Sequence, residues 1–210
     1  MNHILVLGGS GPTGAELTRQ ALEQGHTVTA LSRHPGRLAI THPRIRVVAA
    51  DLTAEPDAVA RVLPGHDAVV CLLGVGTGLR SGGLMARATP PLITAMERGG
   101  VPRLVLISAF GVGGTAPHAP WIARLMFRLM LADIYADKAI GEGLVRASAL
   151  QWTILAPMML ANGPGTGHYR LLEDCPEQGP WRVRRADVAT AVLRCIDDPA
   201  TIRKRLVVAA

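Results

Sequence analysis

Within its first 14 residues the chain passes from an apolar run, Ile4-Leu5-Val6-Leu7, directly into Gly8-Gly9-Ser10-Gly11-Pro12-Thr13-Gly14. Gly8, Gly11 and Gly14 satisfy Gly-x-x-Gly-x-x-Gly, and Gly9, Gly11 and Gly14 satisfy Gly-x-Gly-x-x-Gly. Pro12 to Gln24 then reads as a helix with Ala15, Leu17, Ala21 and Leu22 available for a buried side. Gly25 closes it as a C-terminal glycine, and His26 to Leu31 has strand character. Strand, tight turn, helix and strand within about 30 residues make one parallel crossover. A glycine turn between strand end and helix start lets backbone N–H groups meet a pyrophosphate at close range. Gly8, Gly11, Pro12, Thr13 and Gly14 are therefore the expected phosphate loop.

The alternation continues. Arg46 to Ala50 and Asp67 to Leu73 read as strands around a polar helix at Glu55 to Val62. A helix from Leu84 to Arg98, bent near Pro90-Pro91, leads to a strand at Arg103 to Ser108. Helical segments near Trp121 to Ala132 and Ala136 to Ala147 precede a strand at Gln151 to Leu155. A helix at Ala186 to Asp197, starting near Asp187, and a strand at Arg205 to Val208 end the series. Continuous apolar runs such as Leu104-Val105-Leu106-Ile107 suit strands covered on both faces. The expected architecture is α/β: a Rossmann fold with a doubly wound, mostly parallel sheet and helices on both faces, spanning residues 1–210 as one domain. The Pro/Gly-rich stretch from Pro157 to Pro180 is expected to lie over the carboxyl edge of the sheet as a substrate-side loop.

Composition narrows the partners. The 22 Lys and Arg residues outnumber the 16 acidic ones, for a net charge of +6, which makes an anionic partner worth weighing. Nucleic acid is not expected, since only 3% of residues are aromatic and no block of five or six basic residues occurs. Cys71, Cys175 and Cys195 form no Cys-x-x-Cys pair, so no metal site is expected and a reduced cytoplasmic setting fits. The first apolar run is too short for a signal peptide core or a membrane span, so neither export nor membrane insertion is expected.

The end of the second strand bears on the cofactor. A dinucleotide site for NAD normally places Asp or Glu there to bind the ribose hydroxyls. No acid lies between Gly25 and Ala50. The segment instead reads Leu31-Ser32-Arg33-His34-Pro35-Gly36-Arg37, in which Arg33 can pair with a ribose 2′-phosphate, helped by Ser32 and Arg37. NADP(H) is thus expected in preference to NAD(H). Asp51-Leu52 can sit beside the adenine, and Asp51 can equally cap the following turn.

These features together resemble the atypical short-chain dehydrogenase/reductase family, including NmrA-like proteins, over nearly the whole chain. The carriers are Gly8 to Gly14, Leu31-Ser32-Arg33, Asp51-Leu52, Leu72-Leu73-Gly74, Leu106-Ile107-Ser108-Ala109, Lys138 with Glu142, Trp152 to Pro157 and Arg185 to Ala189. Ser108-Ala109-Phe110 and Pro164-Gly165-Thr166-Gly167-His168-Tyr169 are similar to the flavin reductase (biliverdin IXβ reductase) branch. The resemblance implies that Leu73, Gly74 and Val75 line the cofactor cleft, that Ser108 lies near the nicotinamide, that Lys138 lies near its ribose, and that Pro157 to Leu160 flank it. Ser108 and Lys138 also have structural readings, as a strand-ending hydroxyl and as half of an i,i+4 pair with Glu142.

Two departures bear on chemistry. The typical short-chain family uses Tyr-x-x-x-Lys, and matching Lys138 puts Ile134 at the tyrosine position. Tyr135 is three residues before Lys138 and rotated by about 100° from that place. In the flavin reductase branch a histidine commonly follows the proline after the sixth strand, where Met158 follows Pro157 here. Hydride transfer to a flavin or quinone can proceed without a proton from the protein, which then mainly orients two rings. In that reading Ser108 holds the carboxamide or acceptor, and Phe110, Met158 and Met159 offer an apolar wall. His168 or Tyr169 adds a polar contact, which makes Ser108, Lys138 and His168 the catalytic candidates. The alternatives are a non-catalytic NADP(H) sensor of NmrA-like type and an NAD(P)-dependent epimerase or isomerase. Trp121, Ile122, Leu125, Met126, Leu129 and Met130 fit a core-facing helix, a lid or a dimer face. A monomer or homodimer acting on a small molecule is expected.

Overall fold

The apolar runs become one sheet, and the amphipathic stretches cover its two faces. The computed structural model describes residues 1–76, 78, 80–113, 131–173 and 181–210, to which all structural statements refer. In chain order the strands and α-helices are β1 (His3–Leu7), α1 (Pro12–Glu23), β2 (Thr27–Ser32), β3 (Ile45–Ala49), α2 (Ala58–Val62), β4 (Ala68–Cys71), α3 (Leu84–Gly99) and β5 (Arg103–Ile107). There follow α4 (Ala132–Ala147), β6 (Gln151–Pro157), β7 (Met159–Ala161), β8 (Arg170–Leu172), β9 (Arg182–Arg184), α5 (Arg185–Asp197) and β10 (Lys204–Ala209). The central sheet has eight strands in the order β3-β2-β1-β4-β5-β6-β10-β8, while β7 and β9 form a separate pair. All central neighbours are parallel except β8, which runs antiparallel to β10.

Because successive side chains point to opposite faces, each buried strand feeds two cores. Ile4 and Val6 of β1 join Val105 and Ile107 of β5 and the inner sides of α1 and α5. Leu5 and Leu7 join Leu104 and Leu106 and the inner sides of α2 and α3, with Val145 of α4. Ala15 is only half-buried; Thr13, Gly14 and Thr18 pack inward with Leu17, Ala21 and Leu22.

Two charged residues fasten helix ends. Arg103 is 7% exposed and donates from Nε to the Ile196 carbonyl at 3.2 Å, and its guanidinium also reaches the Cys195 carbonyl and Thr201 Oγ1. It thereby satisfies the last turn of α5, whose carbonyls lack helical partners. Asp137 of α4 accepts from the backbone N–H groups of Met85 (2.9 Å) and Ala86 (3.0 Å), serving the first turn of α3 from another helix.

Several expectations shift. The stretch from Pro157 is not wholly irregular: β7 and β8 lie within it, and β7 is matched by β9. Helix α4 starts at Ala132, ahead of the expected Ala136. Helix α3 runs on through Pro90 and Pro91. Helix α5 starts at Arg185, and the Asp187 carboxylate in its first turn accepts from Thr166 N (2.9 Å), Gly167 N (3.0 Å) and Thr166 Oγ1 (2.9 Å), pinning the loop before β8 to the helix. The Trp121 to Met130 helix and Cys175 lie outside the described residues. Among the described residues, no helix is long and apolar enough to cross a membrane, and no group of three or more His, Cys, Asp or Glu could hold a metal ion.

Candidate functional site

A cleft of about 660 Å³ opens at the carboxyl edge of the sheet. It lies where β1 and β4 adjoin and the strand order reverses, which is where open α/β sheets take ligands. The glycine loop forms its floor. Gly8 has φ +84°, and a Cβ there would sit 2.9 Å from the Leu72 carbonyl oxygen. A Cβ on Gly14 would lie 2.4 Å from Gly8 O and 2.8 Å from Gly9 Cα, so the loop closes only with hydrogen at that position. Helix α1 begins with Pro12, has no side-chain cap at Gly11 and carries no acid in its first turn. Its first N–H groups and positive dipole end are left for an anion.

The second strand delivers the next group. Ser32 Oγ donates to Ser10 Oγ at 2.7 Å and accepts from His34 N at 3.1 Å, tying the end of β2 to the glycine loop. Beyond it Arg33, His34 and Arg37 line the cleft with exposed side chains. Asp51 and Leu52 line it as well, and Asp51 also fulfils its capping alternative, accepting from Thr53 N (2.9 Å) and Thr53 Oγ1 (2.7 Å). The Thr53 hydroxyl foremost, then its N–H, hold the Asp51 carboxyl below the usual carboxylate range against partial burial, with Arg33 adding to the effect.

Leu73, Gly74 and Val75 line the middle of the cleft, and the ends of β5 and α4 supply its polar groups. Ser108 is 6% exposed, and its Oγ has no hydrogen-bond partner although its N–H donates to Leu155 O at 2.8 Å. The strand-ending role therefore belongs to its backbone. Lys138 reaches the Ile107 carbonyl from Nζ at 3.3 Å, and burial pushes its ammonium below the usual lysine range. It is not the i,i+4 partner of Glu142, whose Oε2 accepts from Arg205 Nε at 3.1 Å. Ile134 and Tyr135 both face the cleft, so the offset of Tyr135 from the usual tyrosine position does not remove it from the site. Burial pushes the Tyr135 phenol up to about 12, which keeps its proton in place at neutral pH.

The residues expected to form the acceptor wall are not among those that line the cleft. Phe110 and Met158 are buried in the core between the sheet and helices α1 and α5, and Phe110 meets Trp181 edge-on at 5.5 Å. Pro157 is buried, and its carbonyl accepts from Phe110 N at 3.0 Å. Met159 turns outward and is 53% exposed. His168 is exposed, and Tyr169 packs against the core; neither lines the cleft among the described residues. Leu160 and Arg185 occupy that side of the cleft instead. Leu160 belongs to the Pro157 to Leu160 stretch that the resemblance puts beside the nicotinamide, whereas sequence reasoning assigns Arg185 no site role; the pairing of β7 with β9 sets Leu160 opposite Val183. A second depression of about 590 Å³ lies between α1, α5 and residues 163–167, where Glu16, Gln20, Glu23 and Asp187 are already engaged in hydrogen bonds.

The cradle closed by Gly8 and Gly14, the open helix start and the unpaired Ser108 hydroxyl are all features a bound dinucleotide would use. Residues 8–199 match the family described as NAD(P)H-binding. The chain belongs to this family. Protein At2g34460, chloroplastic, from Arabidopsis thaliana is 29% identical over 177 residues, covering 79% of this chain and 61% of that protein. A 3-beta-hydroxysteroid dehydrogenase from Mycolicibacterium neoaurum is 33% identical over 123 residues, covering 53% of this chain and 33% of the enzyme. The chain thus spans less than two thirds of the length of either relative. Among solved structures, a short-chain dehydrogenase/reductase from Veillonella parvula DSM 2008 in complex with NADP superposes with a TM-score of 0.81 at 21% identity, covering 100% of this chain and 94% of that one. ChuY, an anaerobillin reductase from Escherichia coli O157:H7, gives 0.79 at 22% identity, covering 99% and 96%. At these identities the likeness shows a shared fold.

Proposed function

We propose that the chain is an NADPH-dependent reductase passing a hydride to a flavin, a quinone or a similar flat acceptor, as a single domain over residues 1–210. The observation that carries this reading is the Ser108 hydroxyl, buried without a partner at the end of β5 on a residue that lines the cleft together with Lys138. A buried polar group left unpaired is costly, and it is retained where a ligand completes it. When bound, the reduced nicotinamide supplies the hydride. The glycine loop and the start of α1 hold the pyrophosphate, Arg33 and Arg37 pair with the 2′-phosphate, and Asp51-Leu52 flank the adenine. Leu73, Gly74 and Val75 line the cofactor's path, Lys138 holds its ribose, and Ser108 Oγ donates to the carboxamide or the acceptor. The NADP complex of the Veillonella parvula protein and the kinship of fold with ChuY, an anaerobillin reductase, support the reading by analogy.

The test is anaerobic NADPH oxidation with FMN, riboflavin and a simple quinone. Turnover above the uncatalysed rate, lost in Gly14→Ala, is expected. Ile134 at the usual tyrosine position favours a second reading, a non-catalytic NADP(H)-binding regulator. Tight NADPH binding without turnover on any acceptor would establish that reading instead.

A further inference from the structure

Among the described residues the cleft is lined by the basic residues Arg33, Arg37, Lys138 and Arg185, with His34, against the single acid Asp51. In the proposed reading the first two face the ribose phosphate at the end of β2, and Lys138 lies at the ribose. That leaves Arg185. It stands where β9 passes into α5, and β9 is paired with β7, immediately beyond β6. This is the β6 side of the cleft, with β4 and β5 between it and the β1 strand that carries the glycine loop. Its Nη1 donates to Asn162 Oδ1 at 2.6 Å, while the neighbouring Arg184 is turned to the Asn162 carbonyl. Arg185 makes no ion pair among the described residues, in contrast to Arg205 on Glu142. One amide oxygen orients the guanidinium and leaves its charge uncompensated. A planar guanidinium oriented in this way matches a carboxylate or phosphate in a two-pronged contact.

We infer that Arg185 is a specificity-determining residue that anchors the anionic group of the acceptor, so that the site takes flat acceptors bearing a phosphate or carboxylate in preference to neutral ones. Leu160 provides apolar surface on the same side, and the Ser108 hydroxyl provides the polar contact at the nicotinamide side. The inference rests on the reductase reading for the identity of the acceptor, but its test reads binding and needs no hydride transfer.

The protein is loaded with saturating NADP⁺, which cannot reduce the acceptor, and titrated calorimetrically with FMN and with riboflavin, which differ by one phosphate. A quinone carboxylate and its amide form a second pair and separate carboxylate from phosphate recognition. The anionic member of at least one pair is expected to bind about tenfold or more tightly than the neutral one, as one well-placed charge-assisted contact allows. In Arg185→Gln the ratio should fall to about one, and Arg185→Lys should restore part of it. Asn162→Ala, which frees the guanidinium, should lower the ratio to an intermediate value. Equal affinities within both pairs, or no binding of any of the four, would overturn the inference. So would a loss in Arg185→Gln that falls on NADP⁺ itself, which would assign the arginine to the cofactor's pyrophosphate. Turnover, measured separately, decides the reductase reading: an intact affinity ratio without turnover would leave the anion anchor standing in a protein that is not a reductase.

Discussion

Arg33 puts the proposed cofactor preference on one side chain. Because its guanidinium is exposed, solvent and salt screen its contact with a phosphate. Arg33→Ala should therefore weaken NADPH by roughly tenfold and NADH by less than about twofold, as read by fluorescence titration of both; equal losses would contradict phosphate recognition. The arginine was legible because no acid stands at the end of β2, and the glycine loop was legible because its spacing encodes backbone contacts that no side chain permits. The acceptor side was not. Met158 and Met159 were the expected wall on residue type, but a residue's direction after Pro157 depends on which strand pairs with it. Tyr135 was set aside by counting from Lys138 on one helix, whereas both Ile134 and Tyr135 line the cleft.

At the scale of elements, helix ends carry the fastening. Removal of Asp137 by Asp137→Ala strips two N–H groups at the start of α3 of their acceptor. The loss should be about 2 kcal/mol, or about 4–8 °C in Tm for a chain of this size, with part regained in Asp137→Asn. A thermal melt unchanged by Asp137→Ala would show that water serves those groups as well. Strand and helix positions were read to within a few residues because apolar runs and helical periodicity are local properties. Cross-helix capping is not local. Nothing around Asp137 or Asp187 distinguishes a carboxylate that serves another element from one on a solvated face.

Across the whole molecule the two ends of the sheet have different characters: a cationic cleft at the carboxyl edge and a pair of imidazoles at the amino edge. There His3 and His66 stack with centroids 3.8 Å apart, and His66 Nδ1 meets the Leu63 carbonyl at 3.0 Å while Nε2 is buried without a partner. Burial foremost holds the His66 pKa below the ordinary histidine value against the Leu63 carbonyl, with His3 adding to the lowering and Pro64 and Asp67 opposing it less. The unfolded chain then takes up this proton first as pH falls. The stabilisation is complete above about pH 6.5 and is lost as pH drops below that value toward the folded-state pKa, at no more than about 1.4 kcal/mol per pH unit. Denaturant melts between pH 7.5 and 5 should show this slope, and His66→Phe, which preserves stacking on His3, should flatten it; an unchanged slope would place the effect elsewhere. The strand order has one further consequence. Because β10 lies between β6 and β8, residues 204–209 form an interior strand. Among the described strands β8 pairs only with β10, so during synthesis it gains that partner only once residues 204–209 have left the ribosome exit tunnel. A nascent chain stopped before them therefore presents the bare edge of β6 to whatever chaperone or other chain reaches it first.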